Sequence, residues 1–127
     1  MPDYMQEVLG DLVALHNDAR RNKWLWKAEP LVRSELLSQY AQDWANKMAV
    51  NGRLTHSSMS DIMKLGYTAV AENIAYGQKS PEEVMDTWMN SSGHKKNILN
   101  SKFNAIGCGL SLSSNGRPYW CVCFGKV

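Results

Sequence analysis

Three side chains that can transfer protons or bind metals lie in separate short polar stretches of the chain. His56 is in "LTHSS", Glu72 is in "AENIAYG", and His94 is in "WMNSSGHKKNIL". Two imidazoles and a carboxylate can hold a divalent cation such as zinc, or act as general acid and base without a metal. Glu72 follows the apolar run "AVA", so its carboxylate is expected to be partly buried and to need partners.

The spacing of the three residues bears on metal binding. His56 and Glu72 are 16 residues apart, and Glu72 and His94 are 22 apart. No single helix can therefore pre-organise them, as a helix does in H-E-x-x-H. Catalytic zinc normally has three protein ligands, and if Glu72 were the third, no base would remain among these residues. We expect no required cofactor, and only a weak zinc site at His56 and His94.

Two metal-free roles remain open for this group. Glu72 could protonate a leaving glycosidic oxygen as a general acid, although most glycosidases pair two carboxylates. A single acid would need a water positioned by His56 or His94, or attack by a group on the sugar itself. Alternatively, the three side chains form a hydrogen-bonded cluster that braces the protein without chemistry. Ser57 and Ser91 lie near the histidines, but no G-x-S-x-G elbow supports a serine nucleophile.

The hydrophobic pattern indicates the elements that must position these residues. Apolar residues at helical spacing predict helices over 4–21 and 34–51, and "SDIMKLG" predicts a short helix over 60–66. In "SPEEVMDTWM", Ser80, Pro81 and Glu83 form a capping box that opens a helix ending near 91. A short helical segment at 94–99 and strand character around "YTAVAENIAYG" complete the pattern before the C-terminal region.

The C-terminal stretch "AIGCGLSLSSNGRPYWCVCFG" changes to strand-like runs around Asn-Gly, which predicts a β-hairpin with a type I′ turn. If Asn115 and Gly116 are the two loop residues, Cys108 faces Cys123 across the hairpin. A Cys108–Cys123 disulfide is then geometrically allowed, and Cys121 remains a thiol. The disulfide state stays open at this point.

Composition limits the class of protein. The 127 residues are 44% apolar and 20% charged, which predicts one soluble α+β domain over 1–127. The net charge is only +2 and the basic residues are dispersed, so we expect no nucleic-acid partner and a monomer. No apolar run reaches the ~20 residues of a membrane span, and "MPDYMQEVLG" has no signal-peptide pattern.

Trp24 and Trp26, in an irregular basic stretch, could form a platform for a sugar ring.

Six motifs occur in an order that resembles the CAP superfamily, also called the cysteine-rich secretory, antigen 5 and pathogenesis-related-1 group. They are "LHNDAR", "ANKMAVNGRLTHSS", "AENIAYG", "WMNSSGHKKNIL", "AIGCGL" and "YWCVCFG", and the likeness is strongest to the bacterial and phage branch. The resemblance implies an α+β fold, a three-layer α-β-α sandwich with a three- or four-stranded antiparallel sheet. It also implies a secreted protein or one that acts at the cell envelope.

The same resemblance assigns residues to a cleft. His56, Glu72 and His94 match the family's cleft histidines and one of its acids, whereas Asn90 or Ser91 stands where many members have a second acid. We expect the cleft to be lined by four further polar residues. These are Ser57, Asn73, Asn90 and Ser91.

Our leading hypothesis from the sequence is a cell-wall hydrolase, phage-lysin-like or secreted, that cuts peptidoglycan glycan strands. Glu72 would be its general acid/base, with His56 and His94 as orienting or water-positioning groups. The alternative is a non-catalytic secreted or envelope module that binds a metal, a lipid or a wall ligand.

Overall fold

A computed structural model describes residues 3–22 and 28–127. The described residues form five helices and four strands. They are α1 Asp3–Arg21, β1 Val32–Arg33, α2 Glu35–Asn51, α3 Met59–Met63, β2 Ala69–Tyr76, α4 Pro81–Met89, α5 Ser92–Leu99, β3 Ala105–Leu112 and β4 Pro118–Lys126. Trp24 and Trp26 lie outside the described residues, and the sugar-platform hypothesis with them.

The four strands form one sheet in the order β1-β3-β4-β2. β3 and β2 both pair antiparallel with β4, as expected. The expected antiparallel sheet is formed by these three longer strands, and the two-residue β1 adds a parallel edge to the start of β3. A strand of two residues is too short to show alternation, which is why the sequence pattern did not reveal it.

Helices cover both faces of the sheet, which confirms the α-β-α sandwich. On one face, α1, α4 and α5 pack with the sheet around Leu12, Trp88 and Phe124. On the other face, α2 and α3 pack around Leu37, Met48 and Ile62. Side chains alternate along a strand, so neighbouring residues of β2, β3 and β4 contribute to different cores. This alternation decides which residues can meet in a site.

Helix ends follow the local chemistry of the sequence. The Ser34 hydroxyl accepts a hydrogen bond from Leu37 N at 3.1 Å and caps α2, which ends at Gly52 with φ of 65°. Ser80 caps α4 through Glu83 N at 3.0 Å, as predicted. α3 begins at Met59, before the predicted start at residue 60, because Ser58 and not Ser60 is its N-cap.

The hairpin register differs from the prediction by one residue. Leu112 pairs with Pro118, and Ser113 and Arg117 close a three-residue loop in which Gly116 has φ of 81°. A one-residue shift moves a side chain to the other face of the sheet. Cys108 therefore faces Val122 in the core beneath α1, α4 and α5. Cys121 and Cys123 lie in the core beneath α2 and α3. The Cys108–Cys123 disulfide does not form, and all three cysteines are buried free thiols.

The C-terminal half of α1 is attached to the loops by two polar side chains. The Asn17 amide donates to the Leu31 carbonyl at 3.1 Å and accepts from its N–H at 2.7 Å. Arg20 has no exposed surface, and its guanidinium donates five hydrogen bonds of 2.7–2.9 Å to backbone carbonyls. These carbonyls belong to Glu29, Ile98, Asn100 and Phe103. Arg20 thus holds together the segment before β1, the end of α5 and the loop to β3.

His16 makes the stability of this core depend on pH. It has no exposed surface, lies against the rings of Trp88 and Phe124, and donates from Nδ1 to the Leu12 carbonyl at 2.8 Å. Burial lowers the pKa of His16 to about 4, from 6.5 for an unperturbed histidine. Between these values the unfolded chain binds the proton and the folded chain does not, so acidification favours unfolding.

We expect the free energy of unfolding to fall by about 3 kcal/mol through His16 as the pH drops from 6.5 to 4. Urea denaturation of wild type and His16→Gln at several pH values in this window measures it. The His16→Gln protein should lose less stability on acidification, because it lacks the imidazole that binds a proton only in the unfolded chain. Every other titrating group is the same in the two proteins. Equal losses in the two proteins would refute the assignment.

Candidate functional site

Glu72 lies in the middle of the edge strand β2, and its side chain has no exposed surface. It points to the same face as Ile74, towards α2 and α3. The loop at 52–58, which joins these two helices, crosses above it and carries His56 and Ser57. The buried carboxylate and the loop meet because Gly52 ends α2 and Ser58 starts α3, so the chain between them is short.

Both oxygens of the Glu72 carboxylate have hydrogen-bond donors. Oε1 accepts from His56 Nδ1 at 2.9 Å and from Ser57 N at 3.0 Å. Oε2 accepts from the Ser57 hydroxyl and, weakly, from the Cys121 thiol at 3.8 Å. These donors satisfy a carboxylate that burial would otherwise destabilise. Glu72 is therefore held within the protein and does not contact solvent directly.

The imidazole of His56 is the solvent-facing part of this arrangement, with 59% of its side chain exposed. Because Nδ1–H donates to Glu72, the neutral ring leaves its unprotonated Nε2 available. A carboxylate that holds one ring nitrogen of a histidine fixes the tautomer and orientation of the other. Nε2 of His56 is thus oriented for proton transfer or for binding a ligand.

His94 lies on the other side of the β2 edge, in α5, and is half-buried against the Trp88 ring with the ring centres 6.5 Å apart. Its buried Nδ1 has no hydrogen-bond partner among the described residues. Burial, and secondly the nearby charge of His56, lowers the pKa of His94. The lowered pKa favours the neutral form of the His94 imidazole.

The four further polar residues expected in the cleft have different environments. Ser57 contacts Glu72 directly. Asn73 is fully buried on the opposite face of β2, where its amide donates to the His94 carbonyl at 3.1 Å and accepts from Asn97 at 2.9 Å. Asn90 caps the end of α4 through the Asp86 carbonyl, and Ser91 precedes α5 without a side-chain cap. Asn73 thus positions the helix that carries His94.

The arrangement of these residues matches a known family of proteins. The profile of the cysteine-rich secretory protein family, CAP, matches residues 13–124. The chain belongs to this family. The match confirms the resemblance inferred from the six motifs, and it includes both histidines and Glu72.

One relative of this CAP protein is a bacterial protein. The uncharacterised protein YkwD of Bacillus subtilis (strain 168) is 42% identical over an alignment of 106 residues that covers 77% of this chain and 40% of YkwD. The matched part of the chain thus spans about two fifths of that relative's length.

Solved structures share the fold. An outer surface protein of Borrelia burgdorferi aligns with a TM-score of 0.86 at 23% identity, over 96% of this chain and 94% of that one. An extracellular SCP-domain protein of Bacillus anthracis aligns with a TM-score of 0.81 at 22% identity, over 100% and 44%. Within the described part of this CAP protein, no helix combines the length and apolarity needed to cross a membrane.

Three residues beside Glu72 were missed by the sequence reasoning. Cys121 and Cys123 lie beneath the carboxylate on β4, and their sulfur atoms are 3.9 Å apart. Tyr40 of α2 is the third: its hydroxyl donates to the Ser58 carbonyl at the end of the 52–58 loop at 3.4 Å, and burial raises its pKa. The C-x-C spacing was a usable signal, because residues i and i+2 of a strand share a face.

Within residues 3–22 and 28–127, one group of three side chains could hold a metal ion. It consists of Glu72, Cys121 and Cys123, whose ligand atoms lie within 4.8 Å of one another. His56, His94 and Glu72 do not form such a group. A structure of NaASP2 with Zn²⁺ aligns with a TM-score of 0.74 at 14% identity, over 98% of this chain and 87% of that one.

Proposed function

We propose that this CAP domain is an envelope-associated hydrolase of cell-wall glycan in which His56 transfers the proton and Glu72 positions His56. The observation that carries the proposal is the 2.9 Å hydrogen bond from Nδ1 of the exposed His56 to the buried Glu72. A carboxylate–imidazole pair with one nitrogen facing solvent is a common arrangement for general acid–base catalysis. The outer-surface and extracellular names of the structural neighbours support the location.

The proposal gives His56 the acid/base role that the sequence suggested for Glu72. Glu72 has no exposed side-chain surface and its oxygens are engaged by His56, Ser57 and Cys121, so it has no direct path to a substrate. A general acid must come within hydrogen-bond distance of the atom that it protonates. Of these residues, His56 has the exposure to do so.

The second histidine supplies a complementary role. An imidazolium at His56, ion-paired with Glu72, would give its Nε2 proton to the glycosidic oxygen as the C–O bond breaks. His94 is kept neutral by its lowered pKa, so it can accept a proton from water that attacks the sugar carbon. Attack by the acetamido group of the sugar would replace that water in a substrate-assisted reaction. One carboxylate then suffices, because Glu72 is not the proton donor.

Incubation with purified peptidoglycan tests this proposal, with new reducing ends as the measurement. We expect His56→Ala to lower the rate about 10²- to 10⁴-fold, which is the usual contribution of a general acid or base. Glu72→Gln should cost about 10- to 100-fold, because it removes a group that orients the catalytic one.

Thr55→Ala is the matched control for these variants. Thr55 is exposed in the same loop as His56, and its backbone carbonyl accepts a hydrogen bond from the Trp44 indole. Because the substitution keeps this carbonyl, the Thr55→Ala variant should cut glycan at the wild-type rate. Intact glycan after incubation with wild type would refute the hydrolase. Full activity in His56→Ala would refute the role of His56.

The second candidate is a non-catalytic module that binds a divalent cation through His56 and His94. It is favoured by two neighbouring imidazoles, one of them neutral through its lowered pKa, and by the zinc in NaASP2. Zinc titration of the Cys121→Ser protein by calorimetry tests it, because this background lacks the neighbouring thiol pair: binding that is lost when His94→Ala is added, together with intact glycan, supports the module. Zinc binding in that background unaffected by His94→Ala contradicts it.

A further inference from the structure

Two thiols and a carboxylate converge beneath the candidate site. Cys121 and Cys123 are fully buried, and their sulfur atoms lie 3.9 Å apart. The Cys121 sulfur is 3.8 Å from Oε2 of Glu72, and the ligand atoms of all three residues lie within 4.8 Å of one another. We infer that Cys121, Cys123 and Glu72 form a buried site for one thiophilic divalent metal ion, such as Zn²⁺.

The distances fit tetrahedral zinc. A Zn–S bond of about 2.3 Å places two sulfur ligands about 3.8 Å apart at the tetrahedral angle. The observed separation of 3.9 Å needs almost no movement of the strand. Because residues 121 and 123 alternate with Val122 along β4, the backbone itself directs both sulfur atoms to one face.

A disulfide between the same two cysteines is less suited to this backbone. Residues i and i+2 of an extended strand have Cα atoms about 6.6–6.8 Å apart, at the upper limit for a disulfide. The sulfur atoms would also have to approach from 3.9 Å to about 2.05 Å. The structure holds both residues as free thiols.

A divalent ion can replace the two thiol protons without changing the net charge of the buried cluster. Binding releases the two thiol protons to solvent, and the resulting two thiolates and one carboxylate then surround a doubly charged ion.

The proposed site is separate from the histidine chemistry. The metal would bind Oε2 of Glu72, whereas His56 bonds Oε1. The Ser57 hydroxyl also donates to Oε2. Entry requires the 52–58 loop to open, because Cys121 and Cys123 have no exposed surface. The inference does not depend on hydrolysis.

Cobalt titration of the reduced protein tests the site. Co²⁺ bound to thiolates gives an intense near-ultraviolet charge-transfer band that histidine and carboxylate ligands do not give. We expect one equivalent of Co²⁺ to produce this band and one equivalent of Zn²⁺ to remove it. The band should be lost in Cys121→Ser and Cys123→Ser and kept in Cys108→Ser, whose thiol is buried in the opposite core.

Two further measurements keep the inference falsifiable if a serine variant fails to fold. X-ray absorption of the zinc-loaded wild type should count two sulfur ligands, and it requires no variant. His56→Ala should keep the thiolate band even though it removes the proposed catalytic group. Binding without a thiolate band, a zinc shell of nitrogen and oxygen only, or a band that persists in Cys121→Ser, would overturn the inference.

Discussion

Replacing Arg20 with methionine is expected to lower the free energy of unfolding by more than about 4 kcal/mol. The change leaves buried backbone carbonyls without a donor, and each unsatisfied buried group costs about 1–3 kcal/mol. Arg20 has no exposed surface, so water cannot replace its five hydrogen bonds. Domains of this size are stable by only about 5–15 kcal/mol, so the variant should be largely unfolded when warmed.

Urea denaturation followed by circular dichroism measures this effect. Arg21→Met is the matched control, because Arg21 is the next residue of α1 and forms only an exposed ion pair with Asp18. Such surface pairs contribute about 0–1 kcal/mol. Arg20→Lys should fall between the two variants, since an ammonium group offers three donors to the carbonyls that the guanidinium binds. Equal stability of the Arg20 and Arg21 methionine variants would refute the role of Arg20.

Replacing Gly107 with alanine is expected to cost about 3 kcal/mol or more. A Cβ atom at this position would lie 2.1 Å from the Leu37 carbonyl carbon and 2.2 Å from Ser38 N. Both are backbone atoms of α2, so no side-chain rotation relieves the overlap and the helix must move away from the sheet. That movement would disturb the core that α2 shares with Cys121 and Cys123.

Gly10→Ala is the control, and the expected sign of its effect is opposite. Gly10 lies in α1, where an added methyl group would have no atom within 4 Å, and alanine is the better helix former by up to about 1 kcal/mol. Thermal unfolding should therefore show a lower melting temperature for Gly107→Ala and an unchanged or higher one for Gly10→Ala. A Gly107→Ala protein as stable as wild type would show that the helix and sheet are not in fixed contact.

Local signals in the sequence located the helices, although α3 spans Met59–Met63 and not the predicted 60–66. Ser34, Gly52 and Ser80 act at the helix ends where their chemistry predicts, because capping depends on atoms only a few residues apart. The six ordered motifs likewise identified the CAP family, and with it the sandwich fold. The pairing of His56 with Glu72 was implied by the same motifs and by the need of a buried carboxylate for donors.

The sequence by itself thus determined the helices, the family and the residues that meet at β2. The tertiary structure alone decided the register of the hairpin, since loops of two and of three residues both fit "SSNGR" and only packing selects between them. That one-residue difference separates Cys108 from Cys123, whereas the pairing of β2 with β4 places Cys121 and Cys123 beside Glu72. The tertiary structure also decided that Glu72 is buried and His56 exposed, because burial depends on which elements cover a residue.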